Sequence, residues 1–259
     1  MPIMQKLLLE IPASILGLTV VGGAVALTIA GLLVVRRFAH HSRLRLHHDV
    51  ADPILGVMGA VYSVLIAFVV VTVWISLDKS SASVHLEANY LADLYRDSEG
   101  LSPDFRKKVN PLLREYREAV INYEWKAMQK GEMSPEVEKI MNRIWALYVT
   151  YTPRNTTEQV FFEESIRKLN SFRELRRTRL MDSRNGINPL LWLILIGGAL
   201  TTVSFTFLFG AESLKAQLIM GILLSATIGL ILFAIMAMDF PFTGSISVSA
   251  EPFQRIILD

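Results

Sequence analysis

The chain has 259 residues, no cysteine and a formal net charge of +2. Without thiols it has no disulfides, thiolate metal sites or cysteine nucleophiles, and so small a charge gives no electrostatic footprint for nucleic acid. Hydrophobic residues make up 52%, only slightly above a soluble domain's usual share of about 45–50%, so their distribution has to decide the class. Four segments carry no charged residue at all: Ala13 to Val35, Ile54 to Leu77, Leu190 to Phe209 and Ala216 to Met238. Each is about 20 residues or longer, and at about 1.5 Å of rise per residue each reaches across a hydrocarbon core of about 30 Å. A core helix of a soluble protein seldom stays apolar on every face for that length. The sequence therefore predicts an all-α, four-span polytopic membrane protein, with spans at about 13–35, 54–77, 190–209 and 216–238.

The first span exceeds the apolar region of a secretory signal, and Arg36 and Arg37 follow it where a small-residue cleavage site would stand. It reads as a retained helix. Next comes RRFAHHSRLRLHHD, residues 36–49, with four of the five histidines and Arg36, Arg37, Arg43 and Arg45. A helical two-histidine metal site needs ligands about three or four residues apart. Here His40 and His41 are adjacent, as are His47 and His48, and two helical turns separate the pairs, about 10 Å. That spacing predicts no metal site. The stretch reads as a connection between spans that faces solvent and headgroups.

The second span carries Ala60, Val64, Phe68 and Thr72 at intervals of four, a single stripe along one helix. In a symmetric oligomer such a stripe would line the axis as a hydrophobic constriction; facing lipid or a neighbouring helix is the equally open alternative. Val84, Ala88, Leu91 and Tyr95 keep the same period, so this helix is predicted to continue beyond the membrane.

Residues 79–187 then form a helical extramembrane domain, between an N-terminal transmembrane hairpin (1–78) and a C-terminal one with its tail (188–259). Ser102-Pro103 and Ser134-Pro135 are helix starts, a capping residue before a proline suited to the first turn. The first start leads a stripe of Phe105, Val109, Leu112, Tyr116, Ala119 and Tyr123; the second leads Val137, Ile140, Met141, Ile144, Leu147 and Tyr148. A last helix begins at Thr156 or Thr157 and carries Val160, Ile166, Leu169, Phe172 and Leu175. The interleaved charges of 79–187 read as a solvated face. Gly22-Gly23 and Gly197-Gly198 lie inside spans and read as close-approach points between helices. His85 stands alone, and no acid, base and nucleophile assemble, so no enzyme and no cofactor are expected. Counting arginine and lysine near the span ends leaves the orientation nearly balanced.

HDVADPILGVMGAVYSVLIAFVVVTVW, EANYLADLYR and MDFPFTGSISVSAEPF resemble the bacterial bestrophin-like membrane proteins over nearly the whole chain. A more distant resemblance to bestrophin anion channels lies in the layout of two spans, helical domain and two spans. It also lies in Ile66-Ala67-Phe68 within the pore helix, and in the motif after the last span, with Asp239, Pro241, Phe242 and Gly244. The resemblance implies a homo-oligomeric, pentameric channel in the bacterial cytoplasmic membrane, passing chloride or similar monovalent anions. Its neck would fall on Ala60, Val64 and Phe68, its helical domain and both termini would be cytoplasmic, and Arg36, Arg37, Arg43 and Arg45 would ring the outer mouth. Thr243 to Ser249 carry no carboxylate, so the calcium clasp of bestrophins is not expected. A non-conducting scaffold or sensor whose helical domain binds a partner is the alternative.

Overall fold

A computed structural model describes residues 3–38, 48–207 and 213–258. Among the described residues there is no strand, and the fold is all-α. In chain order the helices are α1 (Ile3–Glu10), α2 (Ala13–Phe38), α3 (His48–Asp97), α4 (Pro103–Ala119), α5 (Trp125–Met128), α6 (Pro135–Thr150), α7 (Thr156–Asp182), α8 (Pro189–Phe207), α9 (Leu214–Met238) and α10 (Glu251–Arg255). Four of them, α2, α3 from Pro53 onward, α8 and α9, are long and apolar enough to cross a bilayer. The chain is a multi-pass membrane protein. As the period of its apolar residues predicts, α3 runs unbroken for 50 residues.

The chain divides into two compact units. The membrane unit comprises Glu10–Ile75 and Gly186–Asp239; the helical unit comprises Met1–Leu9, Ser76–Asn185 and Phe240–Asp259. The second is thus discontinuous, joining residues from both ends of the chain to the segment between the hairpins.

In the membrane unit, α2 and α9 run antiparallel in close contact. A Cβ added at Gly229 would lie 3.2 Å from the Cα of Val21, at Gly221 3.2 Å from Thr28 Cγ2, and at Gly17 3.1 Å from the Phe233 ring. Small residues here let the backbones approach, which is how helices gain packing where lipid supplies no hydrophobic drive. The paired glycines behave differently from expectation. Only Gly198 meets a neighbour, the Tyr62 ring, whereas Gly22, Gly23 and Gly197 have nothing within 4 Å of an added Cβ. At one end of the bundle Arg36 Nε and Nη2 donate to Gln217 Oε1 at 3.2 and 2.9 Å, and Gln217 Nε2 donates to the Thr206 carbonyl at 3.2 Å. The last turn of α2, where Arg36 and Arg37 also suit the helix dipole, is thereby tied to α8 and α9.

The helical unit packs α4, α6, α7 and the part of α3 from Ser76 onward around one core that includes Leu91, Leu113, Tyr116, Ile144 and Phe172. Ser102 caps α4 by accepting from Phe105 N, and α7 begins at Thr156 as the sequence predicts, with Asn155 before it accepting from Glu158 N at 2.9 Å. Ser134 precedes α6 without a side-chain cap bond. Where the sequence predicts the α4 stripe to end on Tyr123, that residue is exposed and Glu124 is buried instead. The cause is a π turn at Val120–Glu124. A π turn holds one more residue than an α turn, so the register of the inward face slips by one. On α7 the inward face likewise differs: Val160 is exposed, Leu175 only half-buried, and Arg176 and Arg179 are buried in line with Leu169 and Phe172.

One hub ties the ends of the chain into this unit. Gln5 Nε2 donates to the carbonyl of Ser183 at 3.0 Å and to Thr243 Oγ1 at 3.2 Å, while Thr243 Oγ1 donates to the Gln129 carbonyl at 3.1 Å. All three of Gln5, Ser183 and Thr243 are buried. Gln5→Leu strips donors from buried acceptors, a loss of about 1–3 kcal/mol. Denaturant unfolding of the full-length protein should show that loss, and an unmoved midpoint would remove the hub from the stabilising contacts.

Candidate functional site

The stripe on α3 lies bare. Ala60, Val64, Phe68 and Thr72 are all exposed, Phe68 to 69%, while Tyr62, Ile66, Val69 and Val73 on the other side of the same helix are buried. The buried side is pinned to α8: Tyr62 OH donates to the Leu195 carbonyl at 2.8 Å, and its ring fills the space beside Gly198. Thr72 Oγ1 donates to the Phe68 carbonyl within its own helix at 2.8 Å, so the hydroxyl of the one polar member is satisfied by its own backbone. The result is an apolar face with one bulky ring, at Phe68, between smaller neighbours.

Of the four arginines expected at the pore mouth, Arg36 is half-buried against Gln217 and Arg37 is exposed. Arg43 and Arg45 lie outside the described residues, as do His40, His41 and His47. His85 is exposed on α3.

The motif after the last span is a folded turn. Asp239 accepts hydrogen bonds from the backbone N–H of Ile187 and from Trp192 Nε1, the latter at 3.1 Å. Within the helical unit, Pro241 accepts from Val248 N at 2.8 Å, Phe242 is buried edge-on to Trp125 with centroids 5.9 Å apart, and Gly244 has φ of +92°. That left-handed φ is cheap only for glycine.

A second constellation escaped sequence reading. Two carboxylates and two guanidinium groups meet inside the helical unit: Glu87 from α3, Glu124 from the π turn, and Arg176 and Arg179 from α7. Glu87, Glu124 and Arg179 are fully buried. Arg179 forks onto Glu87, with Nε to Oε2 at 2.6 Å and Nη2 to Oε1 at 2.9 Å, and its Nη2 also reaches Glu124 Oε2 at 2.8 Å. Arg176 Nη2 meets Glu124 Oε1 at 2.6 Å, and its Nη1 turns outward to Glu138. Tyr116 OH donates to Glu87 Oε1 at 3.1 Å, and the Arg179 guanidinium stacks 5.1 Å from the Trp125 ring centroid. The expected solvated charge face is therefore wrong for these residues. Two arginines at helical spacing on α7 and two glutamates from separate elements cancel inside a core, and only their partners in space distinguish them from surface charges.

The cluster has a pH signature. Burial disfavours the Glu124 carboxylate, but Arg179 and Arg176 outweigh it and hold the group below its ordinary 4.5. A carboxyl so depressed stabilises the fold fully above its unfolded value, and that stability is lost as pH falls through the folded one. The melting temperature of the full chain should therefore fall below about pH 4.5. Glu124→Gln, though less stable at neutral pH, should flatten that acid limb; an unchanged limb would assign the dependence elsewhere.

Residues 22–253 match the family model described as the Bestrophin-like domain. The chain belongs to the bestrophin-like family. The match covers the α3 stripe, the buried charge cluster and the Asp239–Gly244 turn of this bestrophin-like protein. No curated protein and no solved structure matches it significantly.

Proposed function

We propose that this bestrophin-like protein is an oligomeric ion channel, conducting chloride or other monovalent anions passively through a pore lined by α3. The observation that carries the reading is the bare apolar stripe of Ala60, Val64, Phe68 and Thr72 on a helix whose opposite side is pinned to α8. Copies arranged about an axis, five in the arrangement that the bestrophin resemblance favours, would cover that face against one another and leave Phe68 as the bulkiest constriction. In this reading the protein sits in the bacterial inner membrane with the helical unit on the cytoplasmic side. The chemistry is dehydration and passage of an ion, with no bond made or broken.

Planar-bilayer recording of the purified protein tests the proposal. Discrete, anion-selective current steps in a chloride gradient are expected. Silent bilayers, with particles that show no central opening along α3, would favour a membrane scaffold instead.

A further inference from the structure

The line that carries Phe68 along α3 does not stop at Thr72. Because α3 is one unbroken helix from His48 to Asp97, residues 7, 11 or 18 positions from Phe68 fall within about 20° of it around the axis. Val57, Val61, Ile75, Lys79 and Leu86 hold those positions, and all five are exposed, as Phe68 is. Four of the five are apolar; the exception is Lys79. Charge is scarce along this stretch. Between Pro53 and Ala92 the helix carries only Asp78, Lys79, His85 and Glu87 as ionisable groups besides its tyrosines. Glu87 is buried against Arg179, and Asp78 and His85 lie about 80° and 100° from the Phe68 line. The next charge on that line is Asp93, compensated by Lys168 at 3.4 Å. Lys79 is thus the one cation on the exposed line from Val57 to Leu86. It follows Leu77, the end of the uncharged run, by two residues. Along the axis it is about 16 Å from Phe68, about half of a hydrocarbon core of about 30 Å.

An apolar constriction sets a dehydration barrier but has no charge with which to choose the sign of an ion; rings of charged side chains make that choice. We propose that Lys79 is the selectivity residue of the channel. Copies of α3 about the axis gather its ammonium groups into a cationic ring at one mouth, which concentrates monovalent anions ahead of Phe68 and repels cations. The inference rests on the proposed conduction along α3 and adds to it the group that discriminates. A lysine ammonium is a compact, strongly hydrated point charge on a flexible stem, suited to attracting a hydrated anion without holding it. The ring acts at short range, because the screening length is about 10 Å at 0.1 M salt and about 3 Å at 1 M.

Reversal potentials of the full-length protein in planar bilayers, under a sodium chloride gradient, provide the test. Lys79→Gln should lower the chloride-over-sodium permeability ratio about tenfold, the lower end of what a charge-lined cleft does for local ion concentration. Lys79→Glu should invert the preference, and Lys79→Arg should keep it. The difference in conductance between wild type and Lys79→Gln should narrow from 0.1 M to 1 M salt. The chain has no cysteine, so Lys79→Cys supplies a single thiol for labelling in an already folded channel. A positively charged methanethiosulfonate should restore chloride preference there, and a negatively charged one should invert it. A conducting wild type whose reversal potential is unmoved in Lys79→Glu and in both labelled forms would overturn the assignment while leaving conduction intact. Lys79 would then be an interfacial anchor that faces headgroups. Silent wild-type bilayers would overturn the conduction reading and this inference with it.

Discussion

Arg179→Met is expected to destabilise the helical unit by about 3–5 kcal/mol, the usual cost of removing one partner from a buried ion pair. The guanidinium carries three of the cluster's hydrogen bonds to carboxylates and is fully buried. Without it, Glu87 keeps only the Tyr116 hydroxyl among its ion-cluster contacts, and two buried carboxylates share the single cation of Arg176. Methionine roughly fills the volume, so the loss is one of charge compensation and not of packing. Thermal unfolding of full-length wild type and variant would measure it. Adding Glu87→Gln to Arg179→Met removes the stranded charge and should recover part of the loss, with a coupling of about 0.5–3 kcal/mol. A loss under about 1 kcal/mol in the single variant, or strict additivity in the double, would mean that the pair is compensated in some other way.

The second large effect concerns conduction. In the proposed channel, Phe68→Ala would remove the one bulky ring from the α3 stripe, widen the hydrophobic constriction and make it easier to wet. Single-channel conductance should rise and anion selectivity relax, more than with any other single substitution on the stripe. Trp74→Ala provides the comparison: Trp74 is as exposed as Val64 or more, but lies about 120° round the helix from Phe68. It should leave conductance unaltered. Lipid contact would also leave Phe68 bare of protein, and equal effects of the two substitutions would mean that the stripe faces lipid and the pore assignment fails.

That four helices are long and apolar enough to span was legible in the sequence because uncharged runs of bilayer length have few other readings, although the expected end of the third, at 208–209, lies outside the described residues. The continuation of α3 was legible for a related reason, since Val84, Ala88 and Leu91 keep one helical period and all three are buried. The failures have distinct causes. Tyr123 carries the apolar character expected at the end of the α4 stripe, but a π turn gives that position to Glu124. Arg176 and Arg179 look like solvated or interfacial cations until Glu87 and Glu124 are brought to them from 92 and 52–55 residues away. They also enter the balance of positive charge near the spans, although in the fold both are neutralised in a core. Gln5 gave no signal, because its three acceptors are on residues that only tertiary structure brings near.

The π turn at Val120–Glu124 has a consequence for how this family can vary in length. A π turn is equivalent to one residue inserted into an α-helix. Deleting a single residue there would restore regular winding, and the position now held by Glu124 would pass to a neighbour in the chain. Arg176 and Arg179 would then face one buried carboxylate in place of two. The insertion and the acidic residue are thus interdependent. Relatives that lack the extra residue are expected to have lost one of the two arginines or to draw a carboxylate from another helix.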